Sequence, residues 1–248
     1  TNLVGCESLF THKIIVSDPL NPTINGYYNS TGVDSICYGE SIRLVATGGI
    51  EYRWTGSDLL GPEITVSPTT TTTYELTVKN QAGCEAKITH KVVVKKLPVG
   101  IINGKNLICS GEEIELTAVG GVSYRWNTNE TSATIRVSPT ETTTYSVIIT
   151  GANGCSIVKE HMVKVSLPPI GKVEGNTTIC GSGEFAVLTA SGGSAYKWQT
   201  GHTTHTITVR PSVTTMYWVD IYNEAGCITR VYTEVKVGQR PTPSITGT

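Results

Sequence analysis

Residues 108–126, ICSGEEIELTAVGGVSYRW, decide the fold. Within them IELTAV alternates apolar and polar side chains, which fits a strand with one buried face. Gly120-Gly121 is a turn signal. SYRW then places Tyr124 and Trp126 on one face of a second strand and Arg125 on the other. The block stands again at 36–54, ICYGESIRLVATGGIEYRW, and at 179–198, ICGSGEFAVLTASGGSAYKW, so Trp54, Trp126 and Trp198 fall 72 residues apart. Two further blocks keep that period to within a residue. One is SPTTTTTY (67–74), SPTETTTY (138–145) and RPSVTTMY (210–217); the other is NQAGC (80–84), GANGC (151–155) and NEAGC (223–227). Three independent blocks on one period denote tandem homologous repeats.

Outward from the deciding block, ATIRVS (133–138) alternates again and stops at Pro139. TYSVIIT (144–150) is a strand, Ala152-Asn153-Gly154 a hairpin turn and SIVKEHMVKV (156–165) the return strand. No segment combines helical caps with a 3.6-residue period. About seven short strands with turn signals every ~8–12 residues predict an antiparallel β-sandwich of the immunoglobulin-like kind. In such a sandwich a Trp on the third strand plugs the space between sheets, and a Tyr opening the penultimate strand forms a corner. Trp54, Trp126, Trp198, Tyr74, Tyr145 and Tyr217 are therefore the expected structural anchors.

The repeats are expected at 19–96, 97–167 and 168–240. LVGCESLFTHKIIV (3–16) matches AGCEAKITHKVVV (82–94), so 1–18 is read as the last strand of a preceding repeat. PTPSITGT (241–248) matches NPTING (21–26) and is read as the start of a following one; the chain is then a segment of a longer array. Asp18-Pro19, Leu97-Pro98, Leu167-Pro168-Pro169 and Arg240-Pro241 mark the joints. Proline fixes φ and removes a donor, so short stiff joints and an extended rod are expected.

Composition narrows the function classes. Only 16% of the 248 residues are charged and the formal net charge is −1, which leaves no broad field to attract a nucleic acid or an anionic membrane. No apolar run approaches the ~20 residues of a membrane-spanning helix, so direct membrane insertion is not expected. With 11 Tyr against 2 Phe and 2 Met, and abundant Thr, the bias is toward pleated, half-exposed surfaces.

Six of the seven cysteines recur by repeat: Cys37 and Cys84, Cys109 and Cys155, Cys180 and Cys227; Cys6 falls in the first partial repeat. No CxxC occurs, and regular cysteines in small β-domains imply an oxidising compartment. Two connectivities are open. Within a repeat, Cys109 stands before the second strand and Cys155 at the last hairpin, so the pair lies at opposite ends of a sandwich. A seven-residue strand separates those ends by about 23 Å, whereas a disulfide needs Cα atoms within about 7 Å. In a head-to-tail array Cys37 would instead meet Cys155, and Cys109 would meet Cys227. The geometry favours that second scheme over bonds within repeats or buried thiols.

The pattern C-x-G-x-x-x-x-L-x-A-x-G-G, Y-x-W, S-P-T-x-T-T-T-Y, G-C strongly resembles the immunoglobulin-like or polycystic-kidney-disease-like repeats of Bacteroidota surface proteins. The resemblance covers 19–240 and both flanking stubs. The third repeat departs from it at Gly181-Ser182-Gly183, one residue longer, and at Arg210 in place of Ser. The resemblance implies export by the type IX system, an outer-membrane-attached extracellular location, and a stalk segment of a long adhesin or gliding-motility filament of the SprB kind. Expected partners are neighbouring repeats of the same chain, with surface polysaccharide or other surface proteins reached through distal regions. A carbohydrate- or protein-binding module, or a spacer on a secreted enzyme, are the alternatives. Asp34-Ser35-Ile36 also matches the short pattern glycosylated on such exported proteins.

Chemistry-bearing motifs are lacking. There is no GxSxG, HExxH, Walker, GxGxxG or EF-hand element, and the acids form no repeated dyad. No catalytic residue, cofactor or metal is expected, and the segment is read as not an enzyme. His12, His90 and His161 recur once per repeat and read as ordinary face positions of the last strand; His202 and His205 read as an exposed turn.

Overall fold

The computed structural model describes residues 11–12, 19–25, 27–28, 32–55, 60–181 and 183–240. The expected partial repeats at 1–18 and 241–248, with Cys6, lie outside the described residues except for Thr11 and His12. All regular structure among the described residues is β-strand. The chain divides into two units: Thr1–Leu97 with Asn153–Cys155, and Pro98–Ala152 with Ser156–Thr248.

The first unit is one sandwich. Its strands are β1 (Thr23–Ile24), β2 (Tyr27–Tyr28), β3 (Gly32–Cys37), β4 (Ile42–Thr47), β5 (Glu51–Trp54), β6 (Glu63–Val66), β7 (Thr72–Lys79) and β8 (Glu85–Lys95). One sheet has the order β2-β1-β4-β6 and the other β3-β8-β7-β5. Ile24, Leu44, Trp54, Leu76, Val78 and Val92 lead the core between them.

The second unit holds two sandwiches. The first of these is built from β9 (Ile101–Asn103), β10 (Leu107–Cys109), β11 (Ile114–Val119), β12 (Ser123–Trp126), β13 (Thr134–Val137), β14 (Thr143–Thr150) and β15 (Ser156–Ser166). The next is built from β16 (Lys172–Gly175), β17 (Thr178–Cys180), β18 (Ala186–Ser191), β19 (Ala195–Trp198), β20 (Thr206–Val209), β21 (Thr215–Tyr222) and β22 (Ile228–Gly238). Their sheets run β13-β11-β9 with β10-β15-β14-β12, and β16-β18-β20 with β17-β22-β21-β19. The period-2 pattern of β11 shows why: Ile114, Leu116 and Ala118 are buried, while Glu115 and Val119 face out.

The same topological device recurs three times. The chain enters each sandwich in one sheet and crosses to the other, where a short strand runs parallel to the final one: β3 beside β8, β10 beside β15 and β17 beside β22. Among the described residues the other strand pairings are antiparallel. This division of the first strand between two sheets, with Trp in the core, is the arrangement of tandem immunoglobulin-like domains. It also fixes the end of the short strand beside the end of the last one: Cys37 faces Lys95, Cys109 faces Ser166 and Cys180 faces Gly238.

Candidate functional site

Each anchor side chain has a definite place. Trp54, Trp126 and Trp198 are 1, 2 and 1% exposed. Their indole N–H groups donate to Gly61 O at 3.1 Å, Ser132 O at 2.9 Å and Thr204 O at 2.9 Å, so the buried polar edge is satisfied. Tyr145 and Tyr217 are buried and Tyr74 is half-buried; burial holds all three phenols above their ordinary pKa. The Tyr of the Y-x-W motif caps the preceding Gly-Gly turn. Tyr124 Oη donates to Gly121 O at 3.0 Å, as Tyr52 does to Gly49 O at 2.7 Å and Tyr196 to Gly193 O at 2.9 Å. Gly120 has φ +95°, and a Cβ there would lie 2.0 Å from Val99 O, so only glycine fits.

The cysteines form two clasps. Cys109, at the end of β10, is bonded to Cys227 in the turn after β21, with S–S 2.14 Å and Cα–Cα 5.5 Å. Cys37, at the end of β3, is bonded to Cys155 in the turn after β14, with S–S 2.04 Å and Cα–Cα 5.6 Å. Both bonds span 118 residues. Each hairpin cysteine is buried by its clasp, Cys155 to 0% and Cys227 to 1% exposure.

Amide and carboxylate groups hold each clasp from both sides. Asn223 Oδ1 accepts from Cys227 N at 2.9 Å, and its Nδ2 donates to Leu167 O at 2.8 Å and to Ser166 Oγ at 2.9 Å. Asn153 does the same work in the first unit, accepting from Cys155 N at 3.1 Å and donating to Lys96 O at 2.7 Å. On the receiving strand a glutamate orders the turn after the cysteine. Cys37 N donates to Glu40 Oε2 at 2.7 Å, Cys109 N to Glu112 Oε2 at 3.1 Å and Cys180 N to Glu184 Oε2 at 2.8 Å. Lys105, with help from the Cys109 amide, keeps the Glu112 carboxyl below the usual range. Sequence reasoning did not single out these Asn and Glu residues. The signal was present: Glu follows each first cysteine within four positions, and Asn precedes each hairpin cysteine within four.

Cys180 is exposed and has no disulfide partner among the described residues; Cys84 is exposed in its hairpin turn. One histidine departs from its expected role. His90 is 1% exposed, and its Nε2 lies 2.9 Å from Asp34 Oδ2, which also accepts from Asn25 Nδ2 at 2.8 Å. The cause is alternation along β8, which turns His90 inward with Ile88 and Val92. Ser35, the hydroxyl of the Asp-Ser-Ile pattern, is exposed. Among the described residues no group of three or more His, Cys, Asp or Glu is placed to hold a metal.

No family model matches the chain. No curated protein matches it either. Among solved structures it is similar to a 1.5-MDa bacterial ice-binding adhesin studied for host cell surface retention, at 14% identity over 91% of this chain and 100% of that one, TM-score 0.33. It is similar to a Ca2+-stabilized adhesin with which an Antarctic bacterium binds ice, at 12% identity over 84% and 72%, TM-score 0.37. It is also similar to immunoglobulin domains 1–5 of Sidekick-1, at 14% identity over 93% of this chain, TM-score 0.29, and spans 60% of that structure's length.

Proposed function

We propose that this chain is a load-bearing stalk segment of a secreted, cell-surface adhesin or gliding-motility filament, with immunoglobulin-like repeats at 19–96, 97–167 and 168–240. The observation that carries the reading is the pair of disulfides, Cys37–Cys155 and Cys109–Cys227, each of which ties the end of a short strand to a hairpin cysteine 118 residues further on. A bond within one sandwich stabilises that sandwich, mainly by restricting its unfolded chain. A bond from the end of one repeat to the hairpin of the next adds something different: it shares load between neighbours. Export to an oxidising compartment, by the type IX route in this reading, supplies the conditions those bonds need. Ligand contact then belongs to regions distal to the stalk, with polysaccharide or another surface protein as the partner.

The test is made on the source cells. Antibody to this chain should label the intact cell surface. Cells carrying Cys37→Ser and Cys109→Ser should keep that label but detach from a substrate at lower shear. A chain confined inside the cell, or detachment unchanged by the substitutions, would reject the proposal.

The binding-module alternative has its best surface on the outer face of β19, β21 and β22. Trp218 lies there opposite Tyr232, which is 60% exposed. Yet the Arg230 guanidinium stacks on the Trp218 ring at 3.8 Å and forks onto Asp220 Oδ1 and Oδ2 at 2.7 and 2.9 Å. One face of the indole is thus already covered, which favours the stalk reading.

A further inference from the structure

Cys180 occupies the place in the third sandwich that Cys37 and Cys109 occupy in the other two. All three end a short strand that runs parallel to the last strand of the sandwich. All three amides are held by a glutamate, Glu40, Glu112 or Glu184. In all three the next residue donates its N–H to the last strand: Tyr38 to Lys95 O at 2.9 Å, Ser110 to Ser166 O at 3.0 Å and Gly181 to Gly238 O at 2.9 Å. At the first two positions this platform holds a hairpin turn by a disulfide and by an asparagine amide. That amide donates to the carbonyl one residue past the facing position, Lys96 O or Leu167 O. The corresponding carbonyl beside Cys180 is that of Gln239.

We infer that Cys180, with the Gln239 carbonyl, is a docking socket for the hairpin of one further repeat. The occupant is a β-turn carrying Gly-Cys with an Asn two or four residues before the Cys. The socket follows from the equivalence of Cys180 with Cys37 and Cys109 alone, and it stands even if the load-bearing role fails. On docking, the two thiols are oxidised to one disulfide. Their two electrons and two protons pass to a disulfide donor of the thiol–disulfide oxidoreductase class, which is reduced to its dithiol. Arg240 now covers part of the platform, with Nε donating to Cys180 O at 3.1 Å and Nη2 to Glu184 Oε1 at 3.3 Å. Its side chain has room to leave, because the guanidinium is solvent-facing.

The test uses the full 248-residue chain with Cys6→Ser and Cys84→Ser, so that Cys180 is its one thiol outside the clasps. The probe is a backbone-cyclised peptide of residues 219–231, VDIYNEAGCITRV, whose cysteine carries thionitrobenzoate. The Cys180 thiolate attacks the peptide sulfur, a new S–S bond forms, and the coloured thionitrobenzoate anion leaves with the electron pair. Relative to the same peptide with Asn223→Ala, the native peptide should react about fivefold faster, the worth of one amide hydrogen bond. Urea should abolish the difference. Equal rates for the native, Asn223→Ala and scrambled peptides would overturn the inference. So would covalent dimerisation through Cys180 that outruns peptide capture, which would assign the surface to a second copy of the chain.

Discussion

Trp126 shows what one side chain does in a sandwich of this size. Its indole fills the gap between the sheets, and its N–H reaches Ser132 O. Trp126→Ala should destabilise the sandwich by about 3–5 kcal/mol, read as a lower denaturant midpoint for its unfolding; no change in midpoint would contradict the packing described. Gly120→Ala should also destabilise, because φ +95° and the Val99 carbonyl leave no place for Cβ. A matched Gly111→Ala control, where φ is +78° but no atom lies within 4 Å of the added carbon, separates the two effects: only backbone strain remains. The places of the Trp residues were legible in sequence because their neighbours are local and the period repeats them. The contact of His90 with Asp34 was not, because it depends on β3 lying beside β8, and that pairing joins residues far apart in the chain.

Strands were readable for the same local reason: alternation marks β11, and Gly or Pro punctuation bounds β13 and β14. The division of the first strand was not readable. β9 and β10 are three residues each, too short to carry a pattern, and their sheets are chosen by β11 and β15. That division is what brings Cys109 to the end of β15, so the clasp depends on topology as well as on cysteine spacing. Between elements, the cross-strand pair Asp220–Arg230 gives a pH signature. Hydrogen bonding to Arg230 holds the Asp220 carboxyl below its ordinary 3.8. A depressed carboxyl contributes stability above its unfolded pKa and loses it as pH falls through the folded value. The third sandwich should therefore lose stability on acidification below about pH 4, and Arg230→Gln should flatten that part of the curve. Thermal midpoints measured from neutral pH downward check this; identical slopes in the two proteins would refute it.

At the scale of the whole molecule the two disulfides overlap in sequence: Cys109 lies inside the loop closed by Cys37–Cys155, and Cys155 inside the loop closed by Cys109–Cys227. Pulled from its ends, the reduced chain extends to at most about 890 Å at ~3.6 Å per residue. The oxidised chain has a shorter covalent route, from the start to Cys37, across to Cys155, back to Cys109, across to Cys227 and on to the end. Its limit is about 390 Å by the same rise. Single-molecule stretching with and without reductant should show that difference, and equal contour lengths would exclude the overlapping connectivity in solution. The overlap has another consequence, concerning damage rather than load. A protease that severs any one peptide bond between Cys37 and Cys227 leaves both fragments joined, because at least one disulfide always spans the break. Between Cys109 and Cys155 two disulfides span it. The chain can thus be nicked and stay whole, and a reducing gel would reveal the wound that a non-reducing one hides.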